Sequence, residues 1–180
     1  MIYKVLIFII IYTINSCGIY SFEGSTLHPD IKKIQVNYFI DQSNENPILT
    51  NIIEDKIKTI FLEKSKLELS TKGDIIIDGE INDYNITPIS VNSNETAALN
   101  RLNIKIKIKY ENIIDPNNSF EKSFNRYLDY DSSKDLNTHD SKFAEENSIN
   151  DSSLTLEEMI VVKITEQLCE DIYYQITSNW

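Results

Sequence analysis

Three lysines at alternate positions, Lys105, Lys107 and Lys109, are the most chemically suggestive pattern in the chain. Residues two apart on a β-strand share a face and lie about 7 Å apart, so the row would turn three ammonium groups toward one plane. Such a plane suits the phosphates of an anionic glycolipid or an acidic partner. The reading that the pattern favours, however, is a solvated strand face whose like charges block edge-to-edge pairing of sheets. Arg101 and Arg126 extend the set of cations that could make electrostatic contacts to phosphate or an acidic sugar. Arg126 has the parity of Phe120 and Phe124, which an edge position and an acidic partner would explain.

Catalytic signatures are scarce. The two histidines, His28 and His139, lack metal-ligand spacing and have no obvious nucleophile nearby. Neither a Gly-rich phosphate loop nor a Gly-x-Ser-x-Gly elbow occurs. Carboxylates crowd residues 129–158, but a solvated loop does not hold two of them at the fixed separation that acid–base chemistry requires. The sequence therefore points to binding rather than catalysis, with no metal and no cofactor expected. A hydrolase using Asp129 and Asp131 is the remote alternative.

The other reactive group is Cys17. Lys4 precedes an apolar run from Val5 to Ile14, shorter than the roughly 20 residues that span a bilayer and of the length of a signal-peptide core. Ile14-Asn15-Ser16-Cys17-Gly18 resembles the lipobox of bacterial lipoproteins: an aliphatic residue three before the cysteine, a small residue directly before it, then Gly. Residues 1–16 then form a signal peptide, Cys17 carries the lipid, and residues 17–30 are a tether. Three acyl chains at roughly 0.8 kcal/mol per buried CH₂ would make the anchor permanent. The alternatives are an uncleaved anchor helix, or an ordinary secretory signal with Cys17 paired to Cys169. Cys169 lies in an apolar helical stretch, the setting of an inert buried thiol.

A net charge of −11 over 180 residues argues against a nucleic-acid partner. Processing would leave roughly 160 residues, enough for one core, and residues 31–180 read as a single domain. Ile34, Val36 and Tyr38 alternate with polar residues as a first strand. Asn46-Pro47 gives a helix start, followed by Leu49, Ile52, Ile53, Ile57, Ile60 and Phe61 at helical spacing, with Glu54 and Lys58 paired on the wet side. A second strand covers about 74–86, where Ile75, Ile77 and Ile81 share a parity that Tyr84 and Ile86 lose. A bulge near Asn82-Asp83 would restore the register. After a polar connection, Leu102, Ile104, Ile106, Ile108 and Tyr110 point inward on the strand that bears the lysines. Asp115-Pro116-Asn117-Asn118 turns the chain, and Phe120 to about Tyr127 returns as its hairpin partner, placing Glu121 near the lysine row. Residues 131–153 read as a mobile acidic loop. Thr155 and Glu158 form a capping box for a last helix whose stripe is Leu156, Ile160, Ile164, Leu168, Ile172 and Ile176. The order β-α-β-β-β-α predicts a two-layer α+β domain, with both helices on one face of a four-stranded mixed or antiparallel sheet. The opening β-α-β would be a right-handed crossover if its strands are parallel neighbours.

Several stretches, taken in order, resemble one family: residues 17–22 (Cys-Gly-Ile-Tyr-Ser-Phe), 94–102 (Asn-Glu-Thr-Ala-Ala-Leu-Asn-Arg-Leu), 123–127 (Ser-Phe-Asn-Arg-Tyr), 129–133 (Asp-Tyr-Asp-Ser-Ser) and Asn179-Trp180. They resemble the lipopolysaccharide-assembly lipoprotein family LptE over nearly the whole mature chain; residues 137–152 are longer and more polar than the family pattern. The resemblance implies an α+β domain anchored on the periplasmic side of the outer membrane. It also implies an LptD-like β-barrel as partner, plugged through its lumen, and a part in delivering lipopolysaccharide to the cell surface. The exposed strand faces and the 87–101 connection would meet barrel wall or passing glycolipid. A free-standing ligand-binding lipoprotein is the alternative.

Overall fold

The computed structural model describes residues 27–43, 49–91 and 97–178. The signal segment, Cys17, the Asn46-Pro47 helix start and Asn179-Trp180 lie outside the described residues. The elements are β1 (Lys33–Val36), β2 (Ile40–Asp41), α1 (Leu49–Ser65), β3 (Glu68–Leu69), β4 (Ile75–Val91), β5 (Ala97–Asn112), β6 (Phe120–Asp131), α2 (Ser141–Glu146) and α3 (Leu156–Thr177). The strands join in one sheet of order β3-β1-β4-β5-β6, with β2 also on β4. The four expected strands are there, and the two-residue β2 and β3 are additional. β1 runs parallel to β4 as its neighbour, whereas β4-β5 and β5-β6 are antiparallel.

The expected first strand is broken. Ile34 is buried and Val36 half-buried, but Tyr38 is 83% exposed and Phe39 takes the inward place. The break lets Phe39 lie against Gly79, where any Cβ would come within 2.0–2.4 Å of the ring. The freed backbone is not left bare: Phe39 N–H donates to Glu54 Oε1 at 2.8 Å. Glu54 is therefore buried rather than on the wet side of α1, although its pair with Lys58 forms as the spacing predicts, at 3.4 Å. A buried carboxylate needs such partners, since an uncompensated charge there costs several kcal/mol.

The β4 bulge falls where the change of parity put it, between Ile81 and Asp83. It keeps Ile75, Ile77, Ile81 and Tyr84 all buried on the helical side, with Ile86 40% exposed beyond. On β5, Leu102, Ile104, Ile106, Ile108 and Tyr110 fill the same layer. The strands of this hairpin run on to Val91 and back from Ala97, so most of the expected 87–101 connection is paired sheet. Helices α1 and α3 pack on each other and close the layer, α3 also lying along β5 and β6. All six stripe residues of α3 are buried, and Thr155 and Glu158 form the reciprocal cap.

Residues 131–153 differ from the expected aperiodic loop. Asp131, Asp135 and Asp151 each accept the backbone N–H two residues on. Asp140 caps α2 through Lys142 N–H and Phe143 N–H. Ala144 is buried, and Leu136, Phe143 and Ile149 pack on the core. The carboxylates here shape turns, a use that a hydropathy period does not reveal.

Candidate functional site

The sheet face turned away from α1 and α3 gathers most of the predicted cations. Pairing across three strands sets Asp78, Lys109 and Glu121 in one row, Glu80, Lys107 and Ser123 in the next, and Asp83, Lys105 and Asn125 in the third. Further along, Thr87, Arg101 and Asp129 share a row. The lysine row thus runs between two strands that carry acids. Lys107 Nζ lies 2.5 Å from Glu121 Oε1, and Lys109 Nζ lies 2.5 Å from Glu111 Oε1. Each carboxylate raises its lysine's pKa through that contact. Lys105 has no ion-pair partner among the described residues, and Asp83, opposite it, accepts from Asn85 and Asn103 amides.

Arg101 is held harder. Its guanidinium grips Asp129 with two bonds of 2.7 and 2.9 Å and stacks 3.6 Å over the Tyr127 ring. The hydrogen bond holds the Asp129 carboxyl below its usual value and raises the guanidinium's. Arg126 stands on the opposite face, apart from the other four. It reaches over the open edge of the sheet to Asp171 of α3 with bonds of 2.6 and 2.8 Å, the acid-paired edge position its parity required. Lys122, two residues earlier, donates to Gln175 of the same helix.

The acids on the outward faces of β4 and β6 are the residues that reading β5 alone misses. Asp78 and Glu80 recur at the same two-residue period as the lysines, and Asp83 joins them only because the bulge restores its side. Asp78, Glu80, Asp83, Glu111, Glu121 and Asp129 are thus interleaved with Arg101, Lys105, Lys107 and Lys109 across β4, β5 and β6. The surface is an alternating charge ladder rather than a bare cationic stripe, and it can exchange its internal pairs for a partner's at little cost, because exposed ion pairs are individually weak.

The remaining reactive groups are occupied elsewhere. His139 Nδ1 donates to Leu154 O at 2.8 Å, so that nitrogen carries the hydrogen. His28 Nδ1 accepts from Asp30 N–H at 3.3 Å. Among the described residues no group of three His, Cys, Asp or Glu could hold a metal ion. Cys169 is fully buried, and burial pushes its thiol up to about 12, far from the thiolate that reactivity requires. No helix of the described residues is long and apolar enough to cross a membrane.

The described residues form a two-layer α+β domain with one polar, charge-paired sheet face. The lipopolysaccharide-assembly family LptE matches residues 31–176, and the chain belongs to that family of lipoproteins. Among solved structures it is similar to a minor lipoprotein from Acinetobacter baumannii (13% identity, 83% of this chain and 94% of that one, TM-score 0.48). Lipoprotein B from Nitrosomonas europaea (12%, 82% and 83%, 0.49) and rare lipoprotein B from Shewanella oneidensis (10%, 79% and 92%, 0.45) are also similar. Comparison with curated proteins finds no match.

Proposed function

We propose that this lipopolysaccharide-assembly lipoprotein is anchored through Cys17 to the periplasmic side of the outer membrane and plugs the lumen of an LptD-like β-barrel, assisting barrel assembly and lipopolysaccharide transfer without catalysing a reaction. The observation that carries the reading is the family match over residues 31–176. The charge ladder supports it, because the lumen of an outer-membrane barrel is polar and a flat alternating surface can exchange pairs with such a wall. Arg101, Lys105, Lys107 and Lys109 are the cations offered on that surface, and Arg126 is offered at the β6 edge. Their role is electrostatic contact with barrel or glycolipid phosphate, Lys105 having no ion pair to break among the described residues. The lipid raises local concentration, so the contact need not be tight.

Purification of the lipidated chain in detergent, followed by mass spectrometry, tests the reading. A stoichiometric large barrel should accompany it, and the mass should include the acyl chains on Cys17. A clean monomer overturns the plug and favours a free-standing lipoprotein. Lysine-to-serine replacement at 105, 107 and 109 should reduce barrel or lipopolysaccharide capture while leaving the denaturation midpoint in place; unchanged capture returns the row to a solvated face.

A further inference from the structure

The β5–β6 turn carries two adjacent isoleucines in the open: Ile113 is 56% exposed and Ile114 43%. Exposed apolar side chains are common, but this turn has two other properties. The backbone donors at and beside the isoleucines are satisfied from within. Ile113 N–H donates to Asp74 O at 2.9 Å, and Ile114 N–H and Asp115 N–H both donate to Asn112 Oδ1, at 3.0 and 2.8 Å. Asn112 is itself 5% exposed and its N–H is bound to Ser119 Oγ. The Asp115 carboxylate accepts from Asn118. The turn thus presents apolar side chains beside backbone N–H groups that are already paired within the protein.

Its place in the fold is the second property. Leu27, His28 and Ile31, where the chain arrives from Cys17, share a groove of about 550 Å³ with Asn112, Asp115 and Asn118 of the turn. The same segment is strapped to the turn's base, since Asp74 accepts Lys32 N–H and Lys33 N–H at 2.8 and 2.9 Å. Leu27 lies ten positions after Cys17, at most about 35 Å of extended chain. The end of the domain that holds Ile113 and Ile114 is therefore the end the anchor draws toward the bilayer.

We infer that the Ile113–Ile114 turn is a second membrane contact, dipping into the lipid interface beside the anchor. Apolar side chains gain by leaving water there, and a backbone with internally paired donors avoids the penalty of carrying bare N–H groups into the interface. With the lipid supplying affinity, the turn supplies orientation: two contacts fix which end of the domain faces the membrane, where one flexible tether does not. The inference rests on the lipoprotein reading of Cys17.

The test places a fluorescent probe in the full lipidated chain. Trp180, the sole tryptophan, is replaced by Phe, and Ile113→Trp or Ile114→Trp is introduced. The chain is reconstituted in phosphatidylethanolamine and phosphatidylglycerol vesicles containing acyl-brominated lipid. Emission from both variants should be quenched several-fold. Bromine near the headgroup end should quench more than bromine deep in the chain, because interfacial groups sit about 5–10 Å into the boundary. Ile86→Trp, eleven positions along β4 from its Asn112-paired start, should keep its emission. If neither turn position is quenched beyond Ile86→Trp in a chain whose mass shows lipid on Cys17, the second contact is overturned. A chain whose mass shows no lipid overturns the anchor reading and the inference with it, and the mass separates the two failures.

Discussion

Ile106 and Lys107 are neighbours on β5 and stand in opposite surroundings. Ile106 is fully buried between β4, β6 and the helices, while Lys107 faces away from them, 2.5 Å from Glu121. The same contrast repeats along the strand, so one face of the sheet carries the packing and the other carries exchangeable charge. Apolar burial contributes in proportion to area removed from water, whereas exposed ion pairs contribute little. The inner face therefore determines whether the domain folds, and the outer face contributes little to that.

The contrast can be broken at its strong end first. Ile106→Ala removes a fully buried side chain and should cost about 3 kcal/mol, read as a lower urea midpoint, with Lys107→Ser leaving that midpoint unmoved. Equal effects would erase the distinction between the faces. Gly79→Ala puts a methyl group into the Phe39 ring and should cost about 1–3 kcal/mol as overpacking; a neutral outcome would mean the β1–β2 break gives way readily.

The smallest effect lies on the outer face and separates the two by pH. The Arg101 hydrogen bond lowers the Asp129 carboxyl from 3.8. A carboxyl depressed in the folded state stabilises fully above its unfolded value and loses that contribution as pH falls through the folded one. Asp129→Asn should therefore be slightly less stable than the parent at neutral pH, with the difference fading below pH 3.8. The Ile106→Ala deficit, which involves no ionisation, should persist throughout. A pH-independent Asp129→Asn deficit would show that the pair is held by packing against Tyr127 rather than by charge.

Local signals made much of this legible from sequence: the strict alternation on β5, the bulge between Ile81 and Asp83, the Thr155–Glu158 box and the edge position of Arg126 each follow from residues close in the chain. What sequence reading missed depends on distant partners. Glu54 reads as a wet helix residue until Phe39 N–H, fifteen positions away, is found on it. The lysine row reads as a cationic stripe until register brings Asp78, Glu80 and Asp83 alongside. Helix α2 lies in a stretch whose carboxylates obscure the few apolar side chains that dock it, and β2 and β3 are too short to carry a period.

The parallel seam between β1 and β4 has a consequence for how the chain becomes this domain. The β4–β5–β6 meander closes through near neighbours in sequence, whereas Ile34 meets Ile75 only after α1 has crossed between them. Non-local pairings have more chain entropy to overcome before they are rewarded. Contact order therefore favours the meander as the first part to form, with the N-terminal strand, on the side of the chain that leads back to Cys17, expected to join it later. A chain held by that end would keep its last-docking strand nearest the point of attachment, leaving the meander free to assemble away from it.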